Sequence, residues 1–366
     1  MGSTVRIPAD RLRQTVSAIF TAAGCRHDEA DRIADHLVTA NLMGQDGHGV
    51  VRTRRYLDAL ADGTVVAGAD LDVVVDGGAF AVVDGNYGFG QTIGPLACRL
   101  GIDKARAHGV AVVGLRHSGH LGRIGHYAEM AAEAGQVSIH FVNVASSTLV
   151  APFGAIDRRM GTNPVCIGLP LADRDPIILD FATSVVAEGK ALVALDGGTA
   201  IPEDALITAG GELSNDPLLL YGHTPAGETP SPYRGEGALR AVGHHKGSGL
   251  ALMCELLAGA LIGSGTAGPP PQRHGNGMLS IYLDLRQFAP DDQAMADILG
   301  YVDWFVSARP ATPGGEVLVP GQPERRRRAE REASGIDLTE ATWSSILDGA
   351  RSVGLDPTEL EARAFS

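Results

Sequence analysis

Histidine, arginine and tyrosine come together in Asp46-Gly47-His48-Gly49, with Arg52 four residues past His48 and Tyr56 four past that. If a helix opens at Val50, residues i and i+4 stack, and Arg52 and Tyr56 share one face. Arginine can grip a carboxylate with two parallel hydrogen bonds, and a helix start adds partial positive charge. The trio is thus a candidate site for a small anionic substrate, although a turn-capping histidine beside a surface ion pair would show the same spacing. His117 and His120 stand in a turn after the apolar run Val110 to Leu115. Imidazole at a strand end suits general acid–base work, because its unperturbed pKa lies near neutrality. Two turn histidines bonded to backbone carbonyls are the plain alternative.

Three further segments offer oxygen-binding groups. Gly161-Thr162-Asn163-Pro164 is a turn, and Asp180-Phe-Ala-Thr-Ser184 follows the strand-like Ile177 to Leu179. Their backbone N–H groups and short hydroxyls could hold phosphate or ribose. His244-His245-Lys246-Gly-Ser-Gly-Leu250 opens an apolar helix. A lysine followed by bare glycine amides at a helix N-terminus makes a phosphate cradle. It matches neither a P-loop nor G-x-G-x-x-G after a strand, so no Rossmann fingerprint is present. The twelve histidines include His117-x-x-His120 and the pair His244-His245. Zinc sites usually show thiolate or H-E-x-x-H spacing, which this chain lacks, so no metal is expected.

The elements that must position these groups follow from periodicity. Leu12, Val16, Ile19 and Phe20 mark one face of a helix that starts near Pro8 and stops at Gly24. Helices are expected from about Asp28 to Met43, from Val50 to Ala61 and from the Gly-rich turn Asp84 to Gly90 on to His108. Strands are expected at Leu71 to Val75, Phe80 to Val83, Val110 to Leu115 and Val137 to Val144, with a helix from Ile124 to Ala134 between the last two. From there to about Leu283 the pattern is strand, turn and glycine-rich loop around one strong helix, Gly247 to Gly263. Gly222 to Gly237 and Gly263 to Gly277, both proline-bearing, read as exposed loops. The last fifty or so residues are helical, so the C-terminus should fold back onto the N-terminal lobe.

Composition narrows the class. Basic residues number 30 against 43 acidic, a formal net charge of −13, which leaves little from which to build a nucleic-acid-binding face. The run Arg325 to Arg328 reads as a solvated helix face with i,i+4 charge pairs. The four cysteines are far apart and lie in apolar surroundings, which points to buried free thiols in a reducing compartment. The start, Met-Gly-Ser-Thr-Val-Arg-Ile-Pro, has no apolar signal core, and the longest apolar run, Leu250 to Ile262, contains Glu255 and is too short to span a bilayer. A cytoplasmic protein without membrane partners is expected.

Taken in order, these segments resemble the type 2 malate/L-lactate dehydrogenase family, which also includes ureidoglycolate dehydrogenase, diketogulonate reductase and piperideine-carboxylate reductase. The family pattern D-S-H-G-x-x-R-x-x-x-Y falls on Asp46 to Tyr56, and D-G-x-x-G-x-G-Q on Asp84 to Gln91. S-x-H-x-G-x-x-G-x-Y falls on Ser118 to Tyr127, G-T-N-P on Gly161 to Pro164, D-x-A-T-S on Asp180 to Ser184, and K-G-x-G-L on Lys246 to Leu250. The resemblance covers almost the whole chain. It implies an α+β fold in which a non-Rossmann nicotinamide-binding sheet domain (131–314) is inserted in a largely helical substrate domain (1–130 with 315–366). It implies hydride transfer between NAD or NADP and the α carbon of a 2-oxo or 2-hydroxy acid, in a homodimer. His120 would move the proton, Arg52 would hold the carboxylate, and His48 and Tyr56 would line the substrate site, with His48 as the second proton-transfer candidate. Asn143, Thr162, Asn163, Leu179, Asp180, Ser184, His245 and Lys246 would bind the dinucleotide.

Two departures stand out. Gly47 replaces the family serine, which removes a hydroxyl and loosens the turn that aims His48. The stretch Ile201 to Arg240 does not match the usual G-W-A-x-D-x-x-G run. Both point to a changed substrate, such as a bulkier 2-oxo acid or an imino acid. The alternative of another class is a catalytically impaired relative that binds a dinucleotide or small acid.

Overall fold

The computed structural model describes residues 3–225, 228–269, 273–288 and 292–365. The helices Ala9–Ala22 and His27–Leu42 pack through Leu12, Val16, Ile19, Phe20, Ile33 and Leu37, the positions that the 3.6-residue period selects. The C-terminal helices Glu340–Ser352 and Pro357–Phe365 add Trp343, Ile346 and Leu360 to the same core. A two-stranded antiparallel ladder, Thr4–Ile7 with Ile336–Thr339, ties the two ends of the chain together. The expected return of the C-terminus is therefore built by strand pairing as well as by apolar burial. Each fully buried Leu or Ile there contributes about 1.5–3 kcal/mol.

The central sheet has seven strands in the order Asp72–Asp76, Phe80–Asp84, Val110–Ser118, Gly275–Asp284, Gln136–Ala145, Val165–Leu171, Arg174–Phe181. The pair Phe80–Asp84 with Val110–Ser118 is parallel and the other ladders are antiparallel. Gly90–His108 and Gly125–Glu133 pack with the sheet over a core that includes Ile93, Leu115, Tyr127 and Tyr282. The boundary at residue 130 expected from the sequence runs through this sheet: the three strands before it and the four after it meet at the ladder between Val110–Ser118 and Gly275–Asp284.

A smaller unit follows. Leu213–Ser214, Leu206–Ile207, Ala238–Arg240 and Val150–Ala151 form a four-stranded sheet, backed by the helix Glu188–Leu195. That helix was not legible in the sequence, where glycines flank a short apolar run. The loop expected over 222–237, whose residues 226 and 227 lie outside the described ones, is tied down over 230–237. Arg158 donates to the carbonyls of Pro232, Gly235 and Gly237, and Arg55 donates to that of Pro230. The second expected loop, 263–277, runs into the strand at Gly275, and its residues 270–272 lie outside the described ones. The strong helix is α-helical over His245–Cys254 and π-helical over Glu255–Leu261. The basic run lies on Gln322–Ser334, where one i,i+4 pair, Arg328–Glu332, forms, while Arg325, Arg326 and Arg331 reach Asp175, Glu316 and Asp46.

Candidate active site

A 3-10 turn, Asp46–His48, follows the end of the His27–Leu42 helix. Its anchor is Asp46, which accepts from Asn41 Nδ2 at 2.6 Å and from Arg331 Nη1 at 2.6 Å. Asn41 Oδ1 also accepts from the Val50 amide at 2.8 Å. A second 3-10 turn, Val50–Arg52, leads into the helix Thr53–Ala61, so the helix opens three residues later than its apolar pattern suggests. Arg52 and Tyr56 still share a face, but they serve different partners.

Tyr56 Oη lies 2.7 Å from His120 Nδ1 and accepts from Gln91 Nε2 at 3.1 Å. The same Gln91 amide donates to the His120 carbonyl at 3.1 Å. Both Gln91 hydrogens are thus committed, and the Tyr56 proton is free to point at His120. This is the work of the Asp84–Gln91 segment: Gly88 O accepts from Gly119 N, and a Cβ on Gly90 would lie 2.3 Å from the His120 carbonyl oxygen. Glycine there lets the backbone press against the histidine turn and brings Gln91 into range, a role that the motif alone did not reveal.

His48 and His120 lie nearly parallel, with ring centroids 5.5 Å apart. Burial, with Arg52 nearby, pushes His48 down to about 3 and His120 well below its ordinary value, so both imidazoles are neutral at physiological pH. His48 Nδ1 is buried without a hydrogen-bond partner. Tyr56 is pushed up to about 12 by burial and stays protonated. His117, the other histidine of the turn, sits at φ +53° with Nδ1 3.0 Å from Asp84 Oδ2, an internal pairing that takes no part here.

Arg52 is already partly engaged. Its fork turns inward: Nη2 donates to Glu188 Oε2 at 2.6 Å and Nε to the Gly47 carbonyl at 2.8 Å. Arg55 Nη1 takes Glu188 Oε1 at 2.8 Å, and Tyr221 Oη donates to that same oxygen. Burial would raise the Glu188 carboxyl, but Arg52 and Arg55 outweigh it and hold the group well below the usual carboxylate range. Nε and one Nη2 hydrogen are thus committed, which leaves both Nη1 hydrogens and one on Nη2 for a substrate carboxylate. Glu188 was missed from the sequence, since its two arginine partners lie more than 130 positions away.

The positions expected around a dinucleotide divide in two. Asn143 is fully occupied: Nδ2 donates to Glu255 and to Gly265 O, and Oδ1 accepts from Gly277 N. It braces the Glu255 carboxylate, which also accepts from Asn163 Nδ2 at 2.9 Å and from the Ala267 amide at 3.0 Å. Thr162 contributes its carbonyl to Thr183, and Ser184 Oγ donates to Val186 O at 2.6 Å. Asp180, raised by burial, accepts the Gly125 amide at 2.7 Å, and Leu179 is surface-exposed. By contrast, Asn163 Oδ1 is buried and unpartnered, while His245 and Lys246 are exposed at the helix start. That start is less bare than its glycines suggest, because the amides of Lys246, Gly247 and Ser248 already bond the carbonyls of Gly243, Val242 and His244. A cavity of about 340 Å³ beside it is lined by Phe153, Ile156, Arg240 and His244. Among the described residues no group of three or more His, Cys, Asp or Glu could hold a metal ion.

Residues 7–347 match the family model for malate/L-lactate dehydrogenase. The chain belongs to that family. It is 38% identical to hydroxycarboxylate dehydrogenase B of Escherichia coli K12, over 99% of this chain and 98% of that one. It is 35% identical to an L-lactate dehydrogenase of Cupriavidus necator, over 96% and 99%. The solved structure of a putative malate/lactate dehydrogenase from E. coli superimposes with a TM-score of 0.90 at 36% identity, covering 99% of this chain and 100% of that one. The malate/L-lactate dehydrogenase reading makes the chain an enzyme, an oxidoreductase of hydroxy acids, and membership implies a nicotinamide dinucleotide cofactor.

Proposed function

We propose that this enzyme uses NAD or NADP to move hydride to or from the α carbon of a 2-oxo or 2-hydroxy acid of the malate/lactate type. The observation that carries the reading is the Gln91–Tyr56–His120 relay standing beside a cluster of two arginines and one glutamate. Bound reduced nicotinamide supplies the hydride, and the protein's task is to orient the acid and manage one proton. With Tyr56 donating to Nδ1, neutral His120 carries its proton on Nε2; as that proton passes to a carbonyl oxygen, the Tyr56 proton passes to Nδ1 and is replaced from solvent. With Tyr56 accepting, Nε2 is free to take a proton from a hydroxyl. One tyrosine hydroxyl therefore supports both directions. Arg52 Nη1 and the excess of cation over anion draw the substrate carboxylate, and His48 lies alongside with Nδ1 unpartnered.

Asn163 and Lys246 fit a nicotinamide dinucleotide: the first through its unpartnered Oδ1, the second through a free ammonium at a helix start. Leu179, Asp180 and Ser184 would shape that cleft, with Asn143 as its brace. Residues 1–130 and 315–366 would supply the substrate side and 131–314 the cofactor side, joined by the continuous sheet. The exposed apolar side chains Leu252, Met253, Leu256, Leu261, Tyr301 and Trp304 support a homodimer that covers them. Four buried, unpaired cysteines suit a reducing compartment, and no described helix is long and apolar enough to cross a membrane. We place the enzyme in the cytoplasm.

The test is oxidation of NADH and NADPH, followed by nicotinamide absorbance, against a panel of 2-oxo acids and cyclic imines. Turnover of 2-oxo acids is expected with at least one cofactor. Cofactor binding without turnover of any panel member would mark an impaired binding relative instead.

A further inference from the structure

Glu188 lies outside every motif that marks the site, yet it touches both arginines. It is buried in the first turn of the helix Glu188–Leu195, bonded to Arg52 at 2.6 Å, to Arg55 at 2.8 Å and to the Tyr221 hydroxyl. The next residue, Gly189, packs backbone to backbone against Gly47: a Cβ on Gly189 would lie 2.4 Å from the Gly47 carbonyl oxygen. The carboxylate is thus docked against the His48 turn and cannot swing away unless that contact opens.

The charge balance follows. Two guanidiniums and one carboxylate, beside neutral histidines, leave one net positive charge. The next cation on the helix, Lys190, is exposed and solvated. Arg55 spends one hydrogen of Nη1 on Glu188 and one of Nη2 on Pro230 O. A substrate with one carboxylate matches the residual charge. A substrate with a second anionic group, together with Glu188, sets three negative charges against two guanidiniums, an arrangement that selects against it.

We propose that Glu188 is a specificity-determining residue that cancels one arginine and makes the site favour monocarboxylate 2-oxo and 2-hydroxy acids over dicarboxylates. It acts through Arg52 and Arg55 and so is a positioning residue. The inference rests on the substrate reading above and adds the charge class of the acid.

The test compares oxamate, a monoanion, with tartronate, a dianion, by calorimetric binding to the cofactor-loaded wild type and to Glu188→Gln. Steady-state kinetics with pyruvate and oxaloacetate run in parallel. Wild type should bind oxamate about tenfold more tightly. Glu188→Gln should shrink that preference by about tenfold through tighter binding of the dianion, with oxaloacetate KM falling more than kcat changes. Glu188→Asp should keep the wild-type preference. Wild type favouring tartronate overturns the proposal even if Glu188→Gln fails to fold. So does an unchanged preference in a folded Glu188→Gln. Absence of turnover with every 2-oxo acid, with oxamate preference and its loss in Glu188→Gln intact, would instead fault the catalytic reading alone.

Discussion

Gly47 and Gly189 meet backbone to backbone, so that a Cβ on Gly47 would lie 2.7 Å from the Gly189 carbonyl carbon. The sequence suggests that glycine at 47 loosens the turn carrying His48. The structure gives another reason for it: Gly47 is buried, and its lack of a side chain lets the Glu188 helix dock. Gly47→Ser, which restores the family residue, should therefore not rescue anything. It should cost about 1–3 kcal/mol of stability through overpacking, read as a fall in Tm, and raise KM for the acid as Glu188 moves. Unchanged Tm and KM would contradict the close contact.

Tyr56→Phe removes the hydroxyl between Gln91 and His120 while keeping the buried ring that packs near Phe20 and Phe89. Stability should fall by only about 1 kcal/mol, the net worth of a typical hydrogen bond. The expected kinetic effect is larger, about tenfold or more in kcat, with cofactor affinity unchanged. A kcat equal to that of wild type would show that the relay is ornamental.

Arg52→Ala should be costly for the fold as well as for catalysis. It leaves the buried Glu188 with Arg55 and Tyr221 alone, and removal of one partner from a buried ion pair costs about 3–5 kcal/mol. KM for carboxylate substrates should rise together with the loss of stability. A variant that raises KM at constant Tm would show that Arg52 grips substrate without supporting Glu188.

The buried histidines set the pH dependence of stability. His48 and His140 are pushed down to about 3 by burial, and His36 and His120 lie well below their ordinary value. Their folded pKa values are depressed, so below about pH 6.5 the unfolded chain binds more protons than the folded one. Their contribution is complete above that pH and lost as pH falls, by up to about 1.4 kcal/mol per pH unit for each group. Denaturant unfolding at about pH 7.5 and about pH 5 should therefore show a clear loss of stability at the lower value. Equal stabilities would mean that these rings are solvated.

Much of the frame was legible because it is periodic. Leu12, Val16, Ile19 and Phe20 gave the first helix face, and Val110 to Leu115 gave the strand that delivers His120. The pairing of Thr4–Ile7 with Ile336–Thr339 was not legible, since two four-residue strands at opposite ends carry no local sign of each other. The histidines, Arg52 and Tyr56 were visible as residue types, whereas their partners were not. Gln91 read as the end of a glycine-rich motif and Glu188 belonged to no motif, and only tertiary contact turns them into a relay and a clamp. Bare glycine amides at Lys246 to Ser248 were expected from composition, but the preceding turn caps them.

The central claim is hydride transfer with His120 managing the proton, and its most direct test is single-turnover kinetics of His120→Ala with bound reduced nicotinamide and an accepted 2-oxo acid. The account predicts a rate lower by about 10²–10⁴-fold at nearly unchanged cofactor affinity. A rate comparable to that of wild type would contradict it and move the proton to His48.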